Sequence, residues 1–309
     1  MIVMARQALR YGAVGIGFGV AYVPGASRLE VLRLFELAAA EGVPCHLHLR
    51  HFGPVPASNS SLDAVEEVIG AAAITGAAAQ IAHIGSMVAD PTDMAAALWM
   101  IEGALARGID VMADIYPYTA AATGLGTTTF DDGWQQRFGG IDYSDLELVS
   151  NGERLTAEGG VPVVIHYIPE RTIQAALSHP LVMVASDGVI QGGHGYPRAA
   201  GTFARILGRY VRTLGVIELP DAIEKMTLMP AQRLEASVRG MKRKGRLQRG
   251  ADTDLVVFDP DVVGDQATFA EPAQRSVGMR WVLVGGHLVI SDGMVQEAGR
   301  PGQPIRRGR

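Results

Sequence analysis

The feature that most constrains this sequence is an alternation between short apolar runs rich in Val and Ile and longer segments rich in Ala and Leu. The longer segments repeat their apolar residues with helical spacing, and the short runs have the length of strands. Strands that alternate with helices in this way form a parallel sheet, so the predicted fold class is α/β. The candidate strands are Ala13–Gly19, Val43–Leu49, Ala79–Ile84, Asp110–Ala113, Val161–His166 and Leu181–Ser186. The candidate helices are Arg28–Glu41, Leu62–Thr75, Thr92–Arg107 and Glu170–Leu177, the first with Ser27 as predicted N-cap and the third starting at Pro91-Thr92.

The last part of the chain follows a different pattern, which indicates a second and smaller element. From about Arg246 the sequence consists of short Val-rich runs, Leu255–Phe258, Trp281–Val284 and His287–Ile290. The dipeptide Gly285-Gly286 joins the last two runs and is typical of a hairpin turn. We therefore predict a large α/β unit over residues 1–245 and a small β element over residues 246–309.

Charge and composition exclude several classes of protein. The 309 residues carry a net charge of -5, and apart from Met-Lys-Arg-Lys at 241–244 and the C-terminal arginines the basic residues are scattered. No basic footprint for nucleic acid is present, so we expect no nucleic-acid partner. Because no apolar stretch approaches the roughly 20 residues that cross a bilayer, we expect no membrane association. The single cysteine, Cys45, favours a reducing, cytoplasmic location and is predicted to be a packing residue.

Histidines and an aspartate follow three of the candidate strands. His48 ends one strand, with His46 on the same face, and His83 ends the next one. Asp187 follows a strand that is otherwise apolar. Each residue alone is explained by an ordinary polar strand end, but the carboxyl ends of parallel strands meet at one opening. Neutral imidazoles and a carboxylate at such an opening are the ligands of a catalytic zinc ion.

At several places along its length the sequence resembles the amidohydrolase superfamily, and within it the N-acyl-D-amino-acid deacylases, including the N-acyl-D-glutamate deacylase branch. The resemblance implies a (β/α)₈ barrel and a metal-dependent hydrolase. It rests on segments in the order of the family, which are Gly15–Gly25, His48-Leu-Arg50, Thr75-Gly-Ala with Ile-Ala-His83, Asp110–Thr119, Ala185–Gly188, Tyr196-Pro-Arg198 with Gly201-Thr-Phe203, Lys225-Met-Thr with Pro230-Ala, and Gly250–Pro260.

The resemblance also implies roles for individual residues. His48 and His83 match the two histidines that bind zinc, and Asp187 matches the aspartate that moves a proton from the attacking water to the leaving amine. Tyr116 matches a tyrosine near the scissile carbonyl. The sequence places Arg198 and Arg50 as candidates for a substrate carboxylate, which a guanidinium binds through two hydrogen bonds. An ion pair away from the substrate is the alternative for both arginines.

The sequence also departs from the family at its N-terminal end. Family members begin with strands that carry a His-x-His pair for a second metal, whereas this chain opens at a helix leading into what resembles the fourth strand. We interpret His46 as incidental, and Lys225, Lys242 and Lys244 lie beyond the strands that could hold a bridging carboxylated lysine. The sequence thus predicts one zinc site and an incomplete barrel of about six strands out of eight. Because open edges are templates for association, we expect self-association or a partner chain that supplies the missing strands.

Three functions remain open at this point. The first is zinc-dependent hydrolysis of small-molecule N-acyl-D-amino acids to a D-amino acid and a carboxylate. The second is a non-catalytic remnant or subunit of an amidohydrolase. The third is a cyclic-amide hydrolase of the hydantoinase or dihydroorotase type, which the lysine positions disfavour.

Overall fold

The fold is seen in a computed structural model that describes residues 1–53, 60–148, 162–191, 194–297 and 300–308. In chain order, the strands are β1 (Ile16–Gly19), β2 (Cys45–His48), β3 (Ala79–Ile81), β4 (Val111–Ile115), β5 (Ala120–Gly124), β6 (Glu147–Leu148), β7 (Pro162–His166), β8 (Val182–Val184), β9 (Ile190–Gln191), β10 (His194–Gly195), β11 (Leu255–Phe258), β12 (Met279–Val284), β13 (His287–Ser291) and β14 (Met294–Val295). The α-helices are α1 (Ile2–Arg10), α2 (Arg28–Glu41), α3 (Ser61–Thr75), α4 (Ile84–Met87), α5 (Pro91–Leu105), α6 (Trp134–Arg137), α7 (Glu170–Ser178), α8 (Arg198–Arg205), α9 (Leu219–Met226) and α10 (Leu228–Glu235). A π-helix continues α8 over Ile206–Thr213.

A five-stranded sheet in the order β1-β2-β3-β4-β8 forms the centre of the molecule. Every neighbouring pair in it is parallel, and helices separate the strands along the chain. This arrangement confirms the α/β fold class. Five parallel strands are present among the described residues, fewer than the about six that the sequence predicts.

Local signals in the sequence explain where the helices between these strands begin and end. Ser27 and Glu30 form a capping box at the start of α2, and the helix ends at Gly42 in the left-handed conformation, with φ of 62°. At α5, Asp90 accepts hydrogen bonds from the backbone of the first turn, and proline stands at the first helical position. The predicted N-cap Ser27 is thus confirmed, whereas the cap of α5 is Asp90.

The two faces of the parallel sheet differ in chemistry, which positions the site. The outer face packs against the helices and is apolar, with Leu47, Ile81 and Ala113 in one cross-strand row. The opposite face carries polar residues in the next rows, since His46 lies beside Gln80 and Asp114 lies beside Met183. The polar side chains therefore lie on the face turned away from the helices, and those near the carboxyl ends reach one edge of the sheet.

The candidate strand Val161–His166 was expected in the parallel sheet, and this prediction is wrong. Residues 162–166 form β7, which pairs antiparallel with β5 and β6 in a separate three-stranded sheet, and Val161 lies outside the described residues. An apolar run of five residues fits either kind of sheet, and its partner β5 is far away in sequence. This sheet lies between β4 and α7 along the chain.

The small C-terminal element is an antiparallel sheet in the order β11-β12-β13-β14. Its three longer strands match the three predicted runs, and Gly285-Gly286 forms the turn between β12 and β13, with both φ angles positive. Val256 and Val257 are about half exposed. The boundary at residue 245 and the expected association with another chain stay predictions. Among the described helices, none has the length and apolarity to span a membrane.

Candidate active site

His48 and His83 meet at the carboxyl ends of β2 and β3. The Nδ1 atom of His48 lies 3.2 Å from Nε2 of His83. The rings of Tyr22 and Phe52 flank His48, with centroids 4.5 and 5.6 Å from its own. The sequence-predicted histidine pair is therefore in direct contact.

His83 has an unusual backbone conformation that its neighbours hold in place. Its φ of 35° lies in the left-handed region, which is uncommon for a residue other than glycine. The His83 N–H donates to Oδ1 of Asp114 at 2.7 Å, and Gln80 Nε2 donates to Oδ2 of the same carboxylate at 3.0 Å. The strained turn aims the imidazole across the sheet edge toward His48.

Asp187 also has a left-handed backbone, with φ of 49°, and it is bound to Arg198. The two side chains form an ion pair at 3.0 Å, and Arg198 Nε donates to the Asp187 carbonyl oxygen at 2.6 Å. The guanidinium carbon lies 4.4 Å from the ring centroid of Tyr116 and 4.9 Å from that of Tyr196. Two aromatic faces and one carboxylate thus hold Arg198 in one position, with only 4% of its surface exposed.

A single cavity of about 170 Å³ is lined by His48, His83, Asp187, Arg198 and Tyr116. Its lining includes the polar residues Asp187, Arg198 and Tyr116, and also Phe52 and Phe138, whose rings are in edge contact with centroids 5.9 Å apart. Clefts of about 400 and 720 Å³ occur elsewhere, but none of the sequence-predicted site residues lines them. We assign the site to the smaller cavity because its lining carries the titratable groups, whereas volume alone says nothing about chemistry.

The electrostatics of the cavity keep both imidazoles neutral. Burial, together with the nearby His83, lowers the pKa of His48 to about 3. Burial and the positive charge of Arg198 lower the pKa of His83 to about 4. Burial raises the pKa of Asp187, although the Arg198 guanidinium opposes this effect. At neutral pH the site therefore offers two uncharged nitrogen donors beside one carboxylate.

Two of the candidate substrate contacts differ in position. The Tyr116 hydroxyl is buried in the cavity and has no hydrogen-bond partner among the residues that the structure describes. Arg50, in contrast, donates from Nε and Nη2 to both carboxylate oxygens of Glu67, each at 2.8 Å, and does not line the cavity. The structure thus brings together His48, His83, Asp187, Tyr116 and Arg198, and it places Arg50 in an ion pair outside the cavity.

Sequence reasoning missed the residues that support the histidines. Asp114 lies half-buried on the polar face of β4, and desolvation raises its pKa to about 6. The sequence does mark Asp114, because this carboxylate stands between the apolar residues Ala113 and Ile115. Asp187 stands out for a similar reason, since it follows an apolar strand. Ser86 and Tyr167 also line the cavity. No comparable signal marks them, because they come from a short helix and from a loop.

The donor set fits part of a zinc site. Within the described part of the chain, no group of three or more His, Cys, Asp or Glu residues is arranged to hold a metal ion. The two imidazoles nevertheless touch, and Nε2 of His48 is buried without a partner among the described residues. Neutral imidazole nitrogens are preferred zinc ligands. His48 and His83 therefore fit zinc, whereas the role of Asp187 as a third ligand stays a prediction.

A family model described as the amidohydrolase family matches residues 4–290. The chain belongs to this family. Among the relatives of this amidohydrolase is N-acyl-D-glutamate deacylase from Alcaligenes xylosoxydans xylosoxydans, 35% identical over 322 residues that cover 98% of the chain and 63% of the relative. The resemblance predicted from the sequence motifs is thus confirmed.

Solved structures agree with this assignment. A structure of N-acyl-D-glutamate deacylase from Bordetella bronchiseptica, in complex with zinc and a phosphonate inhibitor, matches 99% of the chain and 65% of its own, with a TM-score of 0.81 and 31% identity. A D-aminoacylase structure, from work on one-metal activation and second-metal attenuation, matches 96% of the chain and 63% of its own, with a TM-score of 0.79 and 26% identity. The chain therefore spans about two thirds of the length of these relatives.

Proposed function

We propose that this chain hydrolyses the amide bond of N-acyl-D-amino acids, using one zinc ion held by His48 and His83. The observation that supports the proposal is the contact of two neutral imidazoles in a cavity that also holds Asp187 and Arg198. The chain is similar to N-acyl-D-glutamate deacylases, and their name describes substrates of this class. A zinc ion bound here would polarise the acyl carbonyl and lower the pKa of water.

Asp187 is the proposed proton carrier. As the oxygen of water bonds to the acyl carbon, the Asp187 carboxylate takes up the proton that this water loses. The carboxyl group then gives the proton to the amide nitrogen while the carbon–nitrogen bond breaks, which releases a carboxylate and a D-amino acid. Partial desolvation raises the pKa of Asp187 above the ordinary aspartate value, which makes its carboxylate a stronger base and suits this transfer.

Arg198 and Tyr116 are the proposed substrate contacts. Arg198 contacts Asp187 through Nε and Nη2 and lines the cavity, so its guanidinium is the proposed partner of a substrate carboxylate. The unpartnered hydroxyl of Tyr116 lies beside the same guanidinium and suits the carbonyl oxygen of the substrate. The two contacts would place the amide between the histidines and Asp187.

The experiment compares zinc content and turnover in the full chain and in matched variants. N-acetyl-D-methionine and N-acetyl-D-glutamate are the substrates, and their L-enantiomers and a hydantoin are the controls. Asp187→Asn should keep the zinc and lose most turnover, whereas His83→Asn should lose the zinc because it removes an imidazole ligand. Asparagine is chosen because it tolerates the left-handed backbone at this position. Asp292→Asn is the matched control, because Asp292 also has a positive φ, of 46°, and pairs with an arginine, Arg280, outside the cavity.

A non-catalytic remnant is the second candidate, favoured by the lack of a three-donor group among the described residues. A purified chain without zinc and without turnover on any of these substrates would support the remnant and refute the deacylase. Equal loss of zinc in Asp187→Asn and His83→Asn would instead show that Asp187 acts mainly as a ligand. Ring opening of the hydantoin without deacylation would identify a cyclic-amide hydrolase.

A further inference from the structure

Ser86 makes two contacts with the same histidine. Its Oγ lies 2.9 Å from Nδ1 of His83 and 2.9 Å from the His83 carbonyl oxygen. Ser86 stands three residues after His83, inside α4, and only 2% of its surface is exposed. Water therefore has little access with which to replace either contact.

The available protons fix which group donates in each contact. A carbonyl oxygen only accepts hydrogen bonds, and a hydroxyl has one proton to donate. Ser86 therefore donates to the His83 carbonyl, and its oxygen accepts from a protonated Nδ1 of His83. The neutral ring then carries no proton on Nε2, which leaves this atom with a free lone pair.

The contact made by Nε2 of His83 is consistent with a proton on Nδ1. Nε2 of His83 lies 3.2 Å from Nδ1 of His48, while Nε2 of His48 is buried and without a partner among the described residues. In the metal-free protein a proton on His48 Nδ1 satisfies the contact, because His83 Nε2 accepts it. The same His83 lone pair would be available as a zinc ligand.

Ser86 is itself fixed from another direction. The Tyr167 hydroxyl donates to the Ser86 carbonyl oxygen at 2.7 Å, and the Ser86 N–H donates to the His83 carbonyl at 3.0 Å. Asp114 holds the backbone N–H of His83 from the opposite side. These contacts hold the backbone of Ser86 in place beside the imidazole of His83.

We propose that Ser86 is a positioning residue that fixes His83 in the Nδ1–H tautomer and so leaves Nε2 as its metal-binding atom. This inference rests on the proposed function, in which His83 binds zinc. Outer partners of this kind orient metal-binding histidines, and their loss weakens metal affinity by about 10- to 100-fold.

The first measurement needs no metal. Nitrogen NMR of the metal-free chain, labelled at its histidines, reports which ring nitrogen is protonated, and the His83→Asn spectrum identifies the His83 signals. We expect protonated Nδ1 and bare Nε2 in the unmodified protein and a mixture of tautomers in Ser86→Ala. A protonated Nε2 in the unmodified protein would overturn the proposal, and this measurement stands even if Ser86→Ala fails to fold.

The second measurement is the dissociation constant of zinc, obtained by competition with a chromophoric chelator. Ser86→Ala should bind zinc about 10- to 100-fold more weakly. Ser86→Thr keeps a hydroxyl and should recover most of the affinity. Ser61→Ala is the matched control, because Ser61 is a buried serine whose Oγ contacts Asp93 instead of the cavity.

The outcomes separate this inference from the proposed function. Unchanged zinc affinity in a folded Ser86→Ala would refute the role of Ser86, while turnover in the unmodified protein would still support the deacylase. Failure of the unmodified protein to bind zinc would refute the proposed function instead. In that case the NMR result would still decide which tautomer Ser86 imposes.

Discussion

His48 should make the metal-free protein less stable at acidic pH. Burial, helped by the nearby His83, lowers its pKa in the folded chain to about 3, whereas an unfolded chain has the ordinary value of about 6.5. Below about pH 6.5 the unfolded chain binds a proton that the folded chain does not bind. Stability therefore falls as the pH falls from about 6.5 toward 3, and above this window the group makes no contribution.

The size of the effect follows from the two pKa values. At about pH 5 the unfolded imidazole is almost fully protonated and the folded one is neutral, so the free energy of unfolding drops by about 2 kcal/mol for this one residue. Glutamine has a similar volume and does not titrate. His48→Gln should therefore reduce the loss of stability between about pH 7.5 and pH 5 by about 2 kcal/mol.

Urea unfolding at the two pH values, with a chelator present, measures this difference. His287→Gln is the control variant, because His287 is an exposed histidine of β13. Equal acid sensitivity in His48→Gln and the unmodified chain would refute the reasoning. It would mean that His48 is solvated in the folded state.

Three further predictions concern the packing around the site. Arg50→Leu should lower the free energy of unfolding by about 3 kcal/mol, since it leaves the largely buried Glu67 unpaired. It should leave KM for N-acetyl-D-methionine unchanged, and a large rise in KM would show instead that Arg50 binds substrate. Gly208→Ala should lower the free energy of unfolding by about 1 to 3 kcal/mol, because the new Cβ would lie 2.6 Å from the Val263 carbonyl oxygen. An unchanged midpoint in urea would show that the backbone around Val263 shifts to make room. Phe35→Ala should cost about 3 to 5 kcal/mol, since the ring is fully buried, and a loss below about 1 kcal/mol would contradict the packing of α2 against the sheet.

Much of the helix and strand order was predictable, because the signals that fix these elements are local. α2 occupies the predicted range Arg28–Glu41, and its cap Ser27 is one residue from its start. The strand ends were less predictable. The run Ala13–Gly19 contains only the four paired residues of β1, since an apolar run does not say where its hydrogen-bonded partner ends.

The candidate site was predictable only where chemistry is carried by rare residues in apolar surroundings. His48, His83 and Asp187 stand out in the sequence for this reason, and they line one cavity. Arg50 follows its strand in the same way but pairs with Glu67, which comes from α3 and was not a candidate. Which partner a long side chain reaches depends on the packing of distant elements, and a single sequence does not contain that packing in readable form.

The backbone supplies a reason, independent of any relative, to connect His83 and Asp187 with chemistry. Three residues other than glycine have a positive φ in the described part of the chain, namely His83, Asp187 and Asp292. The third lies in a hairpin turn of the small sheet, where such a conformation is ordinary. A left-handed backbone costs about 1 to 3 kcal/mol at a residue such as His83 or Asp187, and it persists only where other contacts hold it. Asp114 accepts a hydrogen bond from the His83 N–H, and Arg198 donates one to the Asp187 carbonyl oxygen. His83 and Asp187 thus place an imidazole and a carboxylate at one cavity from strained backbone positions, each held by another side chain.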